Sequence, residues 1–482
     1  MTDVRASVLG GSYERPADAS ARIQFRRGLT LTVMTVLMPG SAQLVTGNRT
    51  VGRIAVRIWL GVLALGGLLL LISMTSRRGM FALATNTTLL HLGAWLLIAG
   101  AAAWVALLVD AWRLAQPRRM ERNHRLWMTG LNSALCFAMA GSMLFAAHLI
   151  NTSSSVIGTV FASDSVSGPS DGRYNVLLLG GDSGVGRNGV RPDSLTVASI
   201  DHDTGRTVLI GLPRNLEDVP FPRGSVMDTE FPDGFACADA CYLNAINTWA
   251  NDHADKFPAD YGDQPGIRVT MEAIEQITGL KINYYALVNM HGFSKLINAV
   301  GGVTMNVRQR TAIGGIGSPI RGYIEPGEQQ LTGSQALWYA RSRVENNDFS
   351  RMGRQKCVMT AMLQQLNPKS VLLNAEKIAD SSKALLTTDI PQQDLGIFMD
   401  LALKAKNEKI SSVSLVPPVI YTGNPDYKKV RRLVSKAIDK AEGKSPTKPK
   451  SGLLAATLSV PKIDADKDPM KANQSADLSA AC

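Results

Sequence analysis

The chain has 482 residues, with 51 Lys and Arg against 40 Asp and Glu, a formal net charge of +11 and a sequence pI near 9.4. That length allows two or three units, each with its own core. The basic balance points to anionic partners (nucleic acid, lipid headgroups or a phosphorylated substrate), and topology rather than composition excludes some of them.

Residues 1–28 read as a basic arm carrying Arg22, Arg26 and Arg27. Residues 29–150 read as a transmembrane region. Ile58–Met74, Leu89–Val109 and Trp127–Ile150 are each apolar over the length a spanning helix needs. The earlier run Leu29–Val45 is interrupted by Pro39, Gly40, Ser41 and Gln43, so it reads as a re-entrant or interfacial segment, with a fourth span as the alternative. Arg118, Arg119, Arg122 and Arg125 crowd the loop before the last apolar run, whereas the Thr75–Thr88 loop has only Arg77 and Arg78. By the positive-inside bias the Arg-rich loop is cytoplasmic, and everything after Ile150 lies outside. An outer location argues against nucleic acid and against ATP, and it permits disulfides. Cys237 and Cys241 in "CADAC" are the candidate pair, with two unlinked thiols as the alternative; Cys357 is left over, Cys136 lies in a span and Cys482 is the last residue.

Residues 151–172, rich in Ser, Gly and Asp, read as a linker. From Tyr174 the pattern alternates. Strands are expected at Asn175–Leu179, Leu195–Ile200, Thr207–Leu212, Tyr285–Asn289, Val303–Val307 and Val413–Val416, the second and third forming a hairpin through "DHDTG". Helices are expected at Ala245–His253, Val269–Thr278, Phe293–Ala299, Gly333–Arg341 and Phe349–Leu366, and near 391–406 and 426–441. This mixture implies a three-layer α/β (α+β) domain over 173–442, a sheet covered by helices. Beyond about Gly443 the composition turns to Lys, Pro, Ser, Ala and Asp, so 443–482 is expected to be a disordered tail.

The chemistry starts in a Gly-rich loop after the first strand, "NVLLLGGDSGVGRNGVRPDS". It is no P-loop, because no Lys follows the glycines, and "GVGRNG" leads into a strand instead of the helix a dinucleotide fingerprint opens. What remains is Asp182 and Asp193 with Arg191 between them. Paired carboxylates suit a hard divalent cation bound jointly with phosphate oxygens; a solvated Asx-turn loop is the bland alternative. Further on, "GLPRN" gives Arg214, and "ALWYARSRVENNDFSRMGRQ" gives Arg341, Arg343, Asp348, Arg351, Arg354 and Gln355. Arg341 and Arg343 can share a site only if their helix has ended, whereas Arg351, Arg354 and Gln355 share a face at i, i+3, i+4. A basic solvated surface is the alternative, but the run is Arg without Lys, and guanidinium is the preferred fork for phosphate.

"LLLGGDSGVGRNGVRPDSL", "LPRN", "INAVGGVTMNV", "LTGSQALWYARSR" and "DFSRMGRQ" occur in the order and spacing of the LytR-CpsA-Psr domain, which the chain resembles over roughly Tyr174–Leu366. The resemblance implies a membrane-anchored, outward-facing phosphotransferase that moves a glycopolymer from a polyprenyl pyrophosphate carrier (donor) to a peptidoglycan hydroxyl (acceptor). It implies an apolar tunnel for the lipid and an arginine-rich, Mg²⁺-containing mouth, with Mn²⁺ as the alternative ion. Carried over by position, Asp182 and Asp193 would be the metal-associated aspartates and general-base candidates, and Arg191, Arg214, Arg341 and Arg343 the pyrophosphate ligands, Arg191 being counted with the catalytic residues. Asp348, Arg351 and Gln355 would complete the mouth. Val288, Phe293, Ile297 and Leu337 are tunnel candidates that core packing explains equally well. Gly184 and Asn215 depart from the family pattern, which often has Arg and Asp there, and the several spans depart from its usual single anchor. Two other readings share the site: a polyprenyl-pyrophosphate phosphatase, and a non-catalytic wall-binding or regulatory module.

Overall fold

The computed structural model describes residues 16–181, 191–365 and 386–444, apart from 162, 164, 165, 238–240, 316, 317, 345 and 346, together with Asn473, Leu478 and Cys482. The chain divides into two units, Met1–Met80 with Thr88–Asn151, and Phe81–Thr87 with Thr152–Cys482.

In the first unit, helix α1 (Pro16–Leu37) stops just before Met38-Pro39, as a residue preceding proline is pushed out of the helical region. Gly40 turns the chain at φ 93° into the short α2 (Ser41–Thr46). The interrupted segment is therefore a helix, a turn and a second helix, and it begins at Pro16, inside the stretch read as a basic arm. Asn48 accepts from the Thr50 and Val51 amides and starts α3 (Arg49–Thr75). After the short α4 (Arg77–Thr85) come α5 (Thr87–Leu114) and α6 (Arg122–Val160). By length and composition α3, α5 and α6 can each cross a membrane. Even the shortest, at 27 residues, rises about 40 Å against a hydrocarbon core of about 30 Å. Buried Gln43 donates to Leu107 O at 3.0 Å and to Asp110 Oδ2 at 3.1 Å, pairing two polar groups that an apolar bundle would otherwise leave unsatisfied. Helix α6 continues to Val160, so the first ten residues of the expected linker are helical.

In the second unit, β1 (Arg173–Gly181), β2 (Pro192–Asp201) and β3 (Thr207–Leu212) form an antiparallel run. β4 (Tyr284–Asn289) lies parallel to β1; β9 (Leu386–Thr388) and β10 (Ser411–Ser414) close the edges, giving the order β10-β3-β2-β1-β4-β9. All six residues of β3 are buried, which requires cover on both faces. Alternate residues go to opposite sides. Leu177, Val197, Val208 and Ile210 pack in a core with α8 (Ile246–Asp252), α9 (Gly266–Thr278) and α14 (Tyr427–Ala441); short α7 (Val226–Glu230) adds Met227. Ala198 and Leu209 face α10 (Met290–Ala299), α11 (Gly333–Arg341) and α12 (Asp348–Gln365), while α13 (Leu395–Ala405) covers Tyr174 and Val176. The second unit is thus the expected three-layer α-β-α domain. Two small sheets flank it, β5 (Val303–Val307) with β8 (Gly327–Leu331) and β6 (Thr311–Ile313) with β7 (Gly322–Ile324).

Two cysteine findings differ in kind. Cys237 and Cys241 form the expected disulfide. Cys357, read as left over, is bonded to Cys482. Leu478 is buried and its amide donates to Ile410 O at 3.1 Å, while Asn473 donates to Phe349 O and accepts from Ser414 Oγ. These described residues of the expected disordered tail are docked on α12 and β10, a correction to that reading. Side-chain hydrogen bonds and a covalent link outweigh a composition too polar to form its own core.

Candidate functional site

The site forms where β1, β2 and β3 end. Asp193 and Ser194 are the second and third residues of β2, and Arg214 follows β3 directly after Pro213. Across from them α12 begins at Asp348, a carboxylate in a first helical turn, where the exposed amides favour negative charge. Helix α11 opens with a Thr332–Gln335 capping box and ends at Arg341; Ser342, at φ −57° and ψ 137°, is already extended. The helix has therefore ended between Arg341 and Arg343, the condition for both to serve one site. Gly333 is required at the start of α11, since a Cβ there would sit 1.8 Å from Ser294 O of α10.

Arg214 Nη1 binds Asp193 Oδ1 at 2.6 Å. Asp348 takes three arginines: Arg351 at 3.0 Å, Arg343 at 3.6 Å and Arg214 at 3.7 Å. Ser194 Oγ donates to Gln355 Oε1 at 3.2 Å. Arg341 stands beside Trp338, its guanidinium 5.5 Å from the ring centre, and lines the same cavity as Asp193, Arg351 and Gln355. Among the described residues, four guanidiniums and two carboxylates come together at the mouth. Arg351 is only 2% exposed, and its buried Nε has no hydrogen-bond partner among the described residues. Burial pulls its pKa below the ordinary guanidinium value, and the Asp348 carboxylate opposes that shift. A buried donor left unpaired is costly, so this nitrogen is placed for an acceptor arriving from outside.

Behind the mouth lies a cavity of about 260 Å³. Its walls are apolar, with Leu178 and Val288 from the sheet, Phe293 and Leu296 from α10, Leu337 from α11 and Met359 and Met362 from α12. Of the four tunnel candidates, Val288, Phe293 and Leu337 line it, whereas Ile297 is fully buried in the core.

Some expected residues are elsewhere. Asp182 lies outside the described residues. Arg191 is exposed just before β2. Arg354 does not share the site of Arg351: its Nε donates to Tyr339 O at 2.7 Å and its Nη2 to Ser342 O, so it ties down the end of α11. Sequence reasoning missed Ser194, and it missed Lys356, which is 1% exposed and flanks the mouth from below. The only signal for Lys356 was its place next to Gln355.

Among the described residues no three His, Cys, Asp or Glu side chains come together as a metal site. Mg²⁺ nevertheless is usually held by one or two carboxylates plus phosphate oxygens. Asp193 supplies one such carboxylate at the mouth, where one of its oxygens is bound by Arg214. Of the two expected aspartates, Asp193 could thus contribute to holding such an ion, and Asp182 lies outside the described residues.

A family model described as the LytR_cpsA_psr family matches residues 146–442, more than half of the chain. The chain belongs to this family. Among its relatives, the polyisoprenyl-teichoic acid–peptidoglycan teichoic acid transferase TagU of Oceanobacillus iheyensis is 28% identical over 235 residues, 48% of this chain and 64% of that protein. TagU of Enterococcus faecalis is 29% identical over 46% of this chain and 63% of its own length. The cell wall biosynthesis protein LcpA of Corynebacterium glutamicum is 26% identical over 53% of this chain and 52% of that protein. The chain thus spans less than two thirds of each of these LytR_cpsA_psr relatives. The solved structure of Bacillus subtilis TagV covers 57% of this chain and 100% of that chain at 23% identity, with a TM-score of 0.40.

Proposed function

We propose that the outer unit is a phosphotransferase of cell-wall assembly, moving a glycopolymer from a polyprenyl pyrophosphate carrier onto a peptidoglycan sugar hydroxyl outside the membrane. The observation that carries this reading is one cavity with two chemistries: an arginine-rich mouth opening into an apolar chamber. A pyrophosphate substituted at both ends carries two negative charges and one apolar tail, which matches both halves. The relatives' names, with polyisoprenyl-linked glycopolymer as donor and peptidoglycan as acceptor, support the same class.

In this mechanism Arg214, Arg341, Arg343 and Arg351 bind and orient the pyrophosphate, and the apolar walls hold the prenyl chain. The acceptor hydroxyl attacks the phosphorus next to the glycan. A new P–O bond forms, the bridging P–O bond breaks, and its electron pair leaves with polyprenyl phosphate, whose growing charge the arginines stabilise. The acceptor's proton goes to a carboxylate, Asp182 or Asp193. A Mg²⁺ ion held by these two aspartates would supply further neutralisation of phosphoryl charge. Arg191, exposed just before β2, would add a further guanidinium to the pyrophosphate.

The test is reconstitution of the full chain in lipid with a prenyl-pyrophosphate-linked sugar, Mg²⁺ and uncross-linked glycan strands. The expected result is a glycan joined to peptidoglycan through a phosphodiester, with prenyl monophosphate released. Hydrolysis by water alone would make the protein a phosphatase, and no turnover with intact binding would make it a binding module; either result overturns the transferase reading.

A further inference from the structure

Among the described residues, Lys356 is the most deeply buried charged side chain that this mechanism leaves unused. It sits on α12 directly after Gln355, is 1% exposed, and has no carboxylate partner among the described residues. Its Nζ lies within hydrogen-bond reach of Ser412 Oγ at 2.8 Å, of Val413 O at 3.3 Å and of Ser414 Oγ. Gly211 of β3 makes room for it, since a Cβ there would stand 2.8 Å from Lys356 Cε.

The hydrogen-bond set fits both protonation states. Ser414 donates its own proton to Asn473 Oδ1, so it can only accept from Lys356, as must the Val413 carbonyl. A neutral amine has two N–H donors for these two acceptors and one lone pair, which takes the Ser412 hydroxyl proton. On protonation the lone pair becomes a third N–H donor, and rotation of the Ser412 hydroxyl lets it accept. No buried group is orphaned either way.

Between this amine and the mouth is a cavity of about 10 Å³ lined by Lys356, Gln355, Ser194, Asp193, Arg214 and Arg351, about the volume that one water centre requires. Among the described residues, those are the charged groups that share this cavity with Lys356. The strands it packs against, β3 and β10, present Gly211 and two serines, and Arg354 on its own helix points to α11.

We infer that Lys356 is a ligand-responsive cation of the mouth, taking up a proton from solvent when a phosphate-bearing group binds and releasing it when that group leaves. The inference rests on the proposal that the mouth takes a pyrophosphate. Full burial opposes an ammonium at this position and holds the Lys356 amine down at about 7. Two phosphate charges arriving on the other side of a one-water gap favour the ammonium. Lys356 acts through the field and is a positioning residue, not one that touches the reacting atoms.

The experiment is titration calorimetry of the full chain in detergent at pH 8. The ligand is a pyrophosphate diester bearing farnesyl on one phosphate and glucose on the other, which has no proton of its own titrating near neutrality. Repeating it in buffers of different ionisation enthalpy counts the protons exchanged. At pH 8 about nine tenths of an amine titrating near 7 is neutral, so the expected uptake is roughly half a proton or more per site, falling towards zero at pH 6. Lys356→Met should bind the same ligand with no uptake at pH 8. Binding without uptake in the wild type overturns the inference and leaves the phosphate reading standing; so does equal uptake in the wild type and Lys356→Met. No binding at all overturns both. Should Lys356→Met fail to fold, the wild-type comparison of pH 8 with pH 6 decides alone.

Discussion

Asp348 holds three arginines at the mouth, so Asp348→Asn is the perturbation that separates folding from binding most sharply. Removing one partner of a fully buried ion pair costs about 3–5 kcal/mol. Asp348 is 25% exposed and only Arg351 of its partners is deeply buried, at 2%, so solvent screening reduces the expected loss to about 2–3 kcal/mol. For a unit of this size that is a fall in melting temperature of roughly 5–10 °C. The same change removes one negative charge from the mouth. Anion binding should therefore strengthen, by roughly tenfold for one added charge at close range in a partly screened site. Thermal melts of the full chain against inorganic pyrophosphate test both halves, because ligand stabilisation grows with [L]/Kd. Asp348→Asn should melt lower without pyrophosphate and close the gap as it is added. If Asp348→Asn binds pyrophosphate no better than wild type, or its deficit persists at saturation, Asp348 is not the resident counter-ion of a phosphate mouth.

Leu337→Trp should fill the apolar cavity. It should weaken binding of a long prenyl pyrophosphate by tenfold or more in a competition assay, and leave inorganic pyrophosphate affinity unchanged. Arg354→Ala removes two buried bonds to the end of α11 and should cost about 2–4 kcal/mol in a denaturant titration, with turnover per folded molecule reduced only modestly. Stability should rise with pH above about 7: an ordinary lysine in the unfolded chain keeps its proton up to about 10.5 whereas buried Lys356 has shed it, so the unfolded state binds more protons in that window. The slope is about 1.4 kcal/mol per pH unit between those limits, and denaturation of Lys356→Met should be flat there.

The outer domain was legible where local pattern and tertiary context agree. Thr207–Leu212, Val303–Val307 and Gly333–Arg341 fall where the strand and helix patterns place them. Strands β6, β7 and β9 were missed because three residues carry too little pattern; pairing across a hairpin or onto β4 defines them. In the site, spacing found the arginines but could not assign their directions. Arg351 and Arg354 are three apart on one helix, yet the first faces the mouth and the second reaches the end of α11, a difference set by where α11 stops. Lys356 was hidden for a similar reason, since its meaning depends on two serines and a glycine from strands far away in sequence.

The Cys357–Cys482 bond has a consequence for how the protein withstands damage. It closes a covalent ring across a sequence separation of 125 residues, anchored two positions beyond Gln355. A protease in the wall that makes one cut anywhere between the two cysteines leaves a nicked chain whose pieces remain joined, with β9, α13, β10 and α14 still tethered to the helix that carries the arginines. Such nicking shows as fragments on a reducing gel and as a single full-mass band on a non-reducing one.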